Sequence, residues 1–401
     1  VARESLRLKT IDVGDEATNI PAHWTTLDEK SKLELRDLLS WNNLCRWNFN
    51  IFDVDKVLQS KRTLVFVSWA ILASPEAQFA MDLACSQFSD SDPEDIKVTC
   101  DRKGYNFLST LNIKEETLVE FLHAIENKYN PDACYHNHVH AADVLQSLHS
   151  LLQMGGGKFA DELLEKFSIL IAAVIHDVGH AGLNNSFHVN SRSELALLYN
   201  DASVLENMHT STAFRLIMGE NRDKRLDIFE NFLEEQTAKT RKFIIKGVMS
   251  TDMTKHFTKK NYIKGILLNE KDGKATPCSN LHKDPCFRHE ILTYIIHLAD
   301  ISNPAKDFEL AMKWTDKLLS ESFRQGDKEK QLGLPFSPMC DRNSTCREQT
   351  AINFIKFVVL PSFELLGELI PRVKEEIIPQ IKKNLENWEQ LYILKNEAKA
   401  V

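Results

Sequence analysis

The sequence predicts an all-α fold, a compact bundle of many helices, on three observations. Glycine and proline are sparse, 14 and 12 in 401 residues, roughly half the usual share, which suits long helices better than turn-rich sheet. Apolar residues recur at three-to-four spacing in one segment after another, and no strand alternation of comparable length competes with them. Hydrophobic residues make up 43% of the chain, enough to bury a sizeable core in one large unit.

Residues 1–32 are polar and mixed, with Asn19-Ile20-Pro21 as a breaker, and are expected to form a flanking N-terminal arm. The helical domain is expected over 33–401, its clearest periodic segments being 116–128, 159–175, 193–199, 241–249, 289–298 and 308–323. Residues 154–158, Met-Gly-Gly-Gly-Lys, resemble a phosphate loop but lack the full GxxxxGK[ST] pattern and lie between two helical runs, so they read as a helix–helix connection. Residues 271–280 read as a surface connection, and 333–349, with two prolines and little periodicity, as a lid or binding loop.

A net charge of -8, read as evenly spread, leaves no basic stripe for a nucleic-acid polymer. The eight cysteines show no CxxC spacing and read as reduced thiols in a cytoplasmic setting. Residues 1–15 carry no apolar block of the signal-peptide kind, and the apolar run 167–175 is too short to span a bilayer. No membrane segment is therefore expected in this chain; an anchor outside it and a homodimer are left open.

Chemistry concentrates in three places. His136 and His140 are four residues apart, on one face if the segment is helical. His176 and Asp177 begin an HDxxH directly after an apolar run, where an unpaired imidazole and carboxylate would be costly to bury. Asp300 ends another strongly apolar helix, just before Ser302-Asn303-Pro304. One histidine from the first place, His176 and Asp177 from the second and Asp300 from the third make two nitrogens and two oxygens, a set suited to Zn²⁺ with room for water. Asp177, with two oxygens, can bridge to a second ion held mostly by waters, as Mg²⁺ or Mn²⁺ is. Two such cations favour in-line attack on phosphorus.

Six blocks in order carry a resemblance: YHNHVHAADV at 135–144, HDVGH at 176–180, SELALLYNDASVLEN at 193–207, STDM at 250–253, ADISNP at 299–304 and FRQGDKEKQLGLPFSPMCDR at 323–342. With LLSW at 38–41 and WNFNIF at 47–52, the chain resembles the class I cyclic nucleotide phosphodiesterase catalytic domain of the HD metal-dependent phosphohydrolase group, up to about residue 391. The resemblance implies hydrolysis of a 3′,5′-cyclic nucleotide to a nucleoside 5′-monophosphate. It implies His140, His176, Asp177 and Asp300 as ligands of the tighter metal and His136 as the general acid, oriented by Glu206. It gives His180, His209, Thr251 and Asp252 to groups that hold metal-bound waters. For the base it implies an apolar slot formed by Phe354, Leu318, Met339 and Met253, with Tyr135 and Asn303 beside it, and Asn303 leans the expectation toward cAMP over cGMP.

Two positions depart from the pattern. Met208 stands where the family has a histidine. Ala351 stands where a glutamine reads the purine edge, with Gln349 two positions earlier and Asn353 in place of a glycine. An alanine cannot hydrogen-bond the base, a loss of about 0.5–1.5 kcal/mol, unless a helix shift or irregular turn brings Gln349 or Asn353 to it. A degenerate nucleotide-binding protein with weakened purine grip is therefore the alternative, and another HD phosphohydrolase acting on nucleoside triphosphates the third reading.

Overall fold

The computed structural model describes residues 20–85, 103–271 and 284–400. Among them every regular element is helical. The core is built around the helix His138–Gln153, which is buried along almost its whole length. Thr63–Leu72, Leu163–Ile175 and Pro285–Asp300 pack around it. These partners need not be amphipathic: all ten residues of Thr63–Leu72 are buried, and Leu163–Ile175 is apolar nearly all round, as a helix enclosed on every side must be. Glu234–Met249 lies close against Leu163–Ile175, because a side chain at Gly247 would meet the Ala172 methyl at 2.8 Å.

The helix termini place the chemistry. His138–Gln153 starts where the Asn137 side chain accepts the backbone N–H groups of Val139 at 2.9 Å and His140 at 3.4 Å, a cap that fixes the first turn. Leu163–Ile175 opens on a Glu162/Glu165 capping box and stops at His176. Pro285–Asp300 starts from an Asp284 cap with proline in its first turn and ends on Asp300. The start of one buried helix thus meets the ends of two others.

Several expected boundaries move. The arm expected to reach residue 32 joins the domain earlier: Trp24 is buried and stacks near Phe66, and Asp28 caps the helix Glu29–Leu38. Residues 154–158 do connect two helices, through a 3-10 turn at Gly156–Phe159, and the helix expected from 159 starts at Leu163. The segment expected over 308–323 extends as Phe308–Gln331, after which 332–346 is irregular up to Arg347–Phe354. The connection expected at 271–280 lies, beyond residue 271, outside the described residues.

The stretch 347–369 is long and apolar enough to cross a membrane, with half of its apolar window buried in the fold. It is not one regular helix. Ile355–Val359 is a π-turn leading into Leu360–Leu369, which carries proline in its first turn. Pro361 lacks an N–H and crowds the carbonyl four residues back, and the widened turn relieves both.

Candidate metal centre

His140, His176, Asp177 and Asp300 each offer one ligand atom within 4.8 Å of all the others. His140 Nε2 lies 3.0 Å from Asp300 Oδ1 and 3.5 Å from Asp177 Oδ2, and His176 Nε2 lies 3.4 and 3.2 Å from the same two atoms. The histidines are wholly buried; the acids have 13% and 18% of their side chains exposed, so the open side of the cluster is the carboxylate side. His176 Nδ1 donates to the Ala173 carbonyl at 2.8 Å, which fixes the ring so that Nε2 points at the two carboxylates. His176 Nε2 and Asp177 Oδ2 are buried without a hydrogen-bond partner. Burial works against charge on Asp177 and Asp300, yet the facing imidazoles outweigh it and hold both carboxyls well below the usual carboxylate range. Two borderline nitrogens, two oxygens and orphaned atoms aimed at one point fit a divalent cation such as Zn²⁺.

The turn entering His176-Asp177 is held by Tyr129, a residue that sequence reasoning missed. Its hydroxyl donates to the Val174 carbonyl at 2.9 Å and accepts from the Asp177 N–H at 3.4 Å. Gly179, at φ +83°, lets the chain double back, and the Met208 sulfur would lie 3.3 Å from a Cβ there. The thioether at 208 thus lies close over this turn, while His209 faces the metal ligands: its Nδ1 donates to the Val178 carbonyl at 2.8 Å and its Nε2 stands 3.6 Å from Asp177 Oδ1.

His136 stands apart from the cage, with 27% of its side chain exposed. Its Nδ1 hydrogen-bonds Glu321, from the helix Phe308–Gln331, and the other Glu321 oxygen accepts the backbone N–H of Tyr135 at 2.8 Å and of His136 at 3.1 Å. Glu206 was the carboxylate expected there, and the geometry corrects this. Glu206 opens the helix Val204–Met218 and accepts instead from Asn185 Nδ2 at 3.1 Å, and burial with the charges of Asp252 and Asp177 pushes it up to about 7. A signal for Glu321 existed: it falls on the Trp314–Leu318–Glu321–Gln325 face, a carboxylate in the stripe that turns inward. Desolvation opposes charge on His136, but Glu321 and Asp177 outweigh it and push it up to about 9; by the same pairing Glu321 is drawn down to about 2. The His136 and His180 rings stack at 4.1 Å and 22°. Near-parallel rings do not direct in-plane lone pairs at one ion, so this pair with Glu321 is not arranged as a further cation site.

The remaining expected residues divide. Around the cage, the His180 Nδ1 accepts from the Gly182 N–H at 2.9 Å, Thr251 Oγ1 donates to the Val248 carbonyl at 2.8 Å, and Asp252 accepts from Ser203 at 2.6 Å and Thr254 at 2.7 Å. Of the slot residues, Tyr135 and Asn303 are buried beneath the site: the Tyr135 hydroxyl donates to Asn303 Oδ1, and Asn303 Nδ2 donates to Asp143 at 2.9 Å. Leu318 and Phe354 are half-buried against the core, whereas Met253 and Met339 are exposed. Ala351 is buried. Arg347–Phe354 is regular helix, the π-turn coming only after it, and the Gln349 amide donates to Asn353 at 2.9 Å, so the two amides tie each other off on an exposed face.

The family described as 3'5'-cyclic nucleotide phosphodiesterase matches residues 135–381. Over 286 residues the chain is 38% identical to 3',5'-cyclic-AMP phosphodiesterase 4C of Mus musculus, covering 71% of this chain and 40% of that one. Over 270 residues it is 40% identical to dual specificity calcium/calmodulin-dependent 3',5'-cyclic nucleotide phosphodiesterase 1B of Mus musculus, covering 66% of this chain and 46% of that one. The chain therefore spans about half the length, or less, of these relatives. The phosphodiesterase domain of Salpingoeca rosetta rhodopsin phosphodiesterase superposes with a TM-score of 0.72 at 28% identity, covering 94% of this chain and 99% of that one. The match of family, fold and blocks spans all three helix termini that build the cage, and on it the chain belongs to the 3′,5′-cyclic nucleotide phosphodiesterase family.

Proposed function

We propose that the chain hydrolyses a 3′,5′-cyclic nucleotide to the nucleoside 5′-monophosphate, cAMP ahead of cGMP, at a two-metal centre. In this reading His140, His176, Asp177 and Asp300 would hold Zn²⁺, and Asp177 would also serve a second ion, Mg²⁺ or Mn²⁺. The observation that carries it is the side-by-side placement of a buried four-ligand cage and a partly exposed histidine backed by a carboxylate. When bound, the ions lower the pKa of water and neutralise charge on the phosphoryl oxygens. His136, held through Nδ1 by Glu321, carries the proton for the leaving O3′ on Nε2, since an unassisted alkoxide is too basic to leave at neutral pH. Glu321 keeps the imidazolium populated and fixes its direction. His180, His209, Thr251 and Asp252 hold waters around the cage, and Phe354 with Leu318 flanks the base.

Steady-state hydrolysis of cAMP and cGMP with and without Mg²⁺ tests the reading; no Mg²⁺-stimulated turnover of either would retire it. Ala351 and the Gln349–Asn353 bond favour a second reading, a binding protein with weakened purine grip, which the same assay separates as binding without turnover. Nucleoside triphosphates in parallel test the third. We place the protein in the cytosol on cysteine usage alone.

A further inference from the structure

The charge of the chain is less even than its total suggests. Between residues 239 and 264 lie Lys239, Arg241, Lys242, Lys246, Lys255, Lys259, Lys260 and Lys264, with Asp252 as the only acid, in a protein of net charge -8. Three of these lysines, Lys246, Lys255 and Lys259, converge on a cleft of about 480 Å³ together with Thr258, Tyr262 and a single carboxylate, Glu290. That carboxylate is shared, its oxygens lying 2.8 Å from Lys246 Nζ and 3.7 Å from Lys259 Nζ. Lys259 also donates to Thr293, and Lys255 donates to Ser203 Oγ at 2.8 Å with Asp252 3.7 Å away. Burial pulls Lys259 down to about 8 in spite of Glu290, as expected of a cation with too little counter-charge.

We infer that this cleft, outside the metal centre, is a second ligand site that takes a phosphate monoester. Three ammonium groups set against Glu290 and, at the far side of Lys255, Asp252 still leave an excess of charge and of N–H donors among the described residues, which a dianionic phosphate with three acceptor oxygens satisfies. The volume exceeds what a bare phosphate needs, and the exposed Tyr262 ring and Thr258 hydroxyl offer an apolar and a polar contact for whatever carries the phosphate. A soluble nucleotide or sugar phosphate and a lipid headgroup share this chemistry.

The test uses the full chain loaded with metal. Isothermal titration with AMP is expected to show two binding events in the wild type, one at the metal centre and one in the cleft. Lys246→Gln/Lys259→Gln removes the second event, weakening it about tenfold or more per lysine, while the first persists and shows that the variant is folded. Glu290→Gln, which removes the competing carboxylate, tightens the second event several-fold. Co-sedimentation with phosphatidylcholine vesicles with and without phosphatidylinositol 4-phosphate assigns the source: lysine-dependent pelleting only with the phosphoinositide marks a lipid headgroup, and a second AMP event without pelleting marks a soluble ligand. A single AMP event in the wild type with no lysine-dependent pelleting, or a second event indifferent to both lysines, overturns the inference.

Discussion

Replacing Glu321 by glutamine keeps the size of the side chain and an oxygen for the backbone N–H groups of Tyr135 and His136, but removes the charge beside the His136 ring. Glu321 is the largest of the interactions that raise His136, which is pushed up to about 9 from an ordinary 6.5 against the opposing effect of burial. The sign follows from the raised pKa. The protonated, proton-donating form persists until pH passes the raised value, so activity in the wild type falls only on the far alkaline side. Without the carboxylate the same limb moves down, reaching the ordinary 6.5 at the limit where burial cancels the remaining help of Asp177 and Asp300. At pH 7.5 a group titrating near 9 is almost wholly protonated, whereas one titrating at 6.5 is protonated in about one molecule in ten. That alone lowers kcat about tenfold, and loss of the fixed ring direction is expected to bring the total to roughly 10²-fold. Cations bound at the neighbouring carboxylates shift both profiles downward together, so the measured quantity is the separation between them. The assay is kcat against pH for Glu321→Gln and wild type at saturating cyclic nucleotide. Superposed alkaline limbs with kcat within threefold would refute the role given to Glu321.

Three further outcomes are expected. His136→Ala keeps its metal by elemental analysis but loses roughly 10²–10⁴ in kcat, as removal of a general acid does; an unchanged kcat would move the acid elsewhere. Ala351→Gln lowers KM for a purine cyclic nucleotide several-fold if the position faces the base, and an unchanged KM would mean that another residue already reads it. Glu206 is an acid whose folded pKa is raised to about 7, so it costs stability as pH rises from its unfolded value through about 7. In chelated protein Glu206→Gln should therefore raise Tm above pH 7 by a few degrees while changing little at pH 4, and equal melting at both pH values would contradict the burial penalty.

How far the sequence could be read depended on what each residue answers to. Helices such as Leu163–Ile175 and Pro285–Asp300 were legible because their apolar runs are long and end in an acid or a His-Asp pair that only a cation would make inexpensive to bury. Three of the four cage residues come from the ends of these helices and His140 from the start of His138–Gln153, where spacing along the chain still reports position in space. Glu321 was not legible in the same way. It reaches His136 from 185 positions away, across a helix packed by tertiary contact, and no local pattern pairs it with the histidine. Glu206 lay in a conspicuous block and took the role on that ground, although its side chain answers to Asn185. Ahead of residue 32, Trp24 and Leu27 are buried although their polar surroundings in the sequence hide it. The basic cleft is hidden in the sequence because its lysines come from two helices and the short 3-10 turn between them, and net charge averages them away.

The most direct measurement is the metal content of the purified protein beside Asp300→Ala and His176→Ala, by elemental analysis after loading with Zn²⁺ and Mg²⁺, together with turnover. Two equivalents of divalent cation in the wild type, with loss of the tightly held one and of turnover in both variants, is the expected result. A wild type that takes up no ion under any loading condition, or variants that keep the tightly held ion and full activity, would contradict a metal centre at these helix ends.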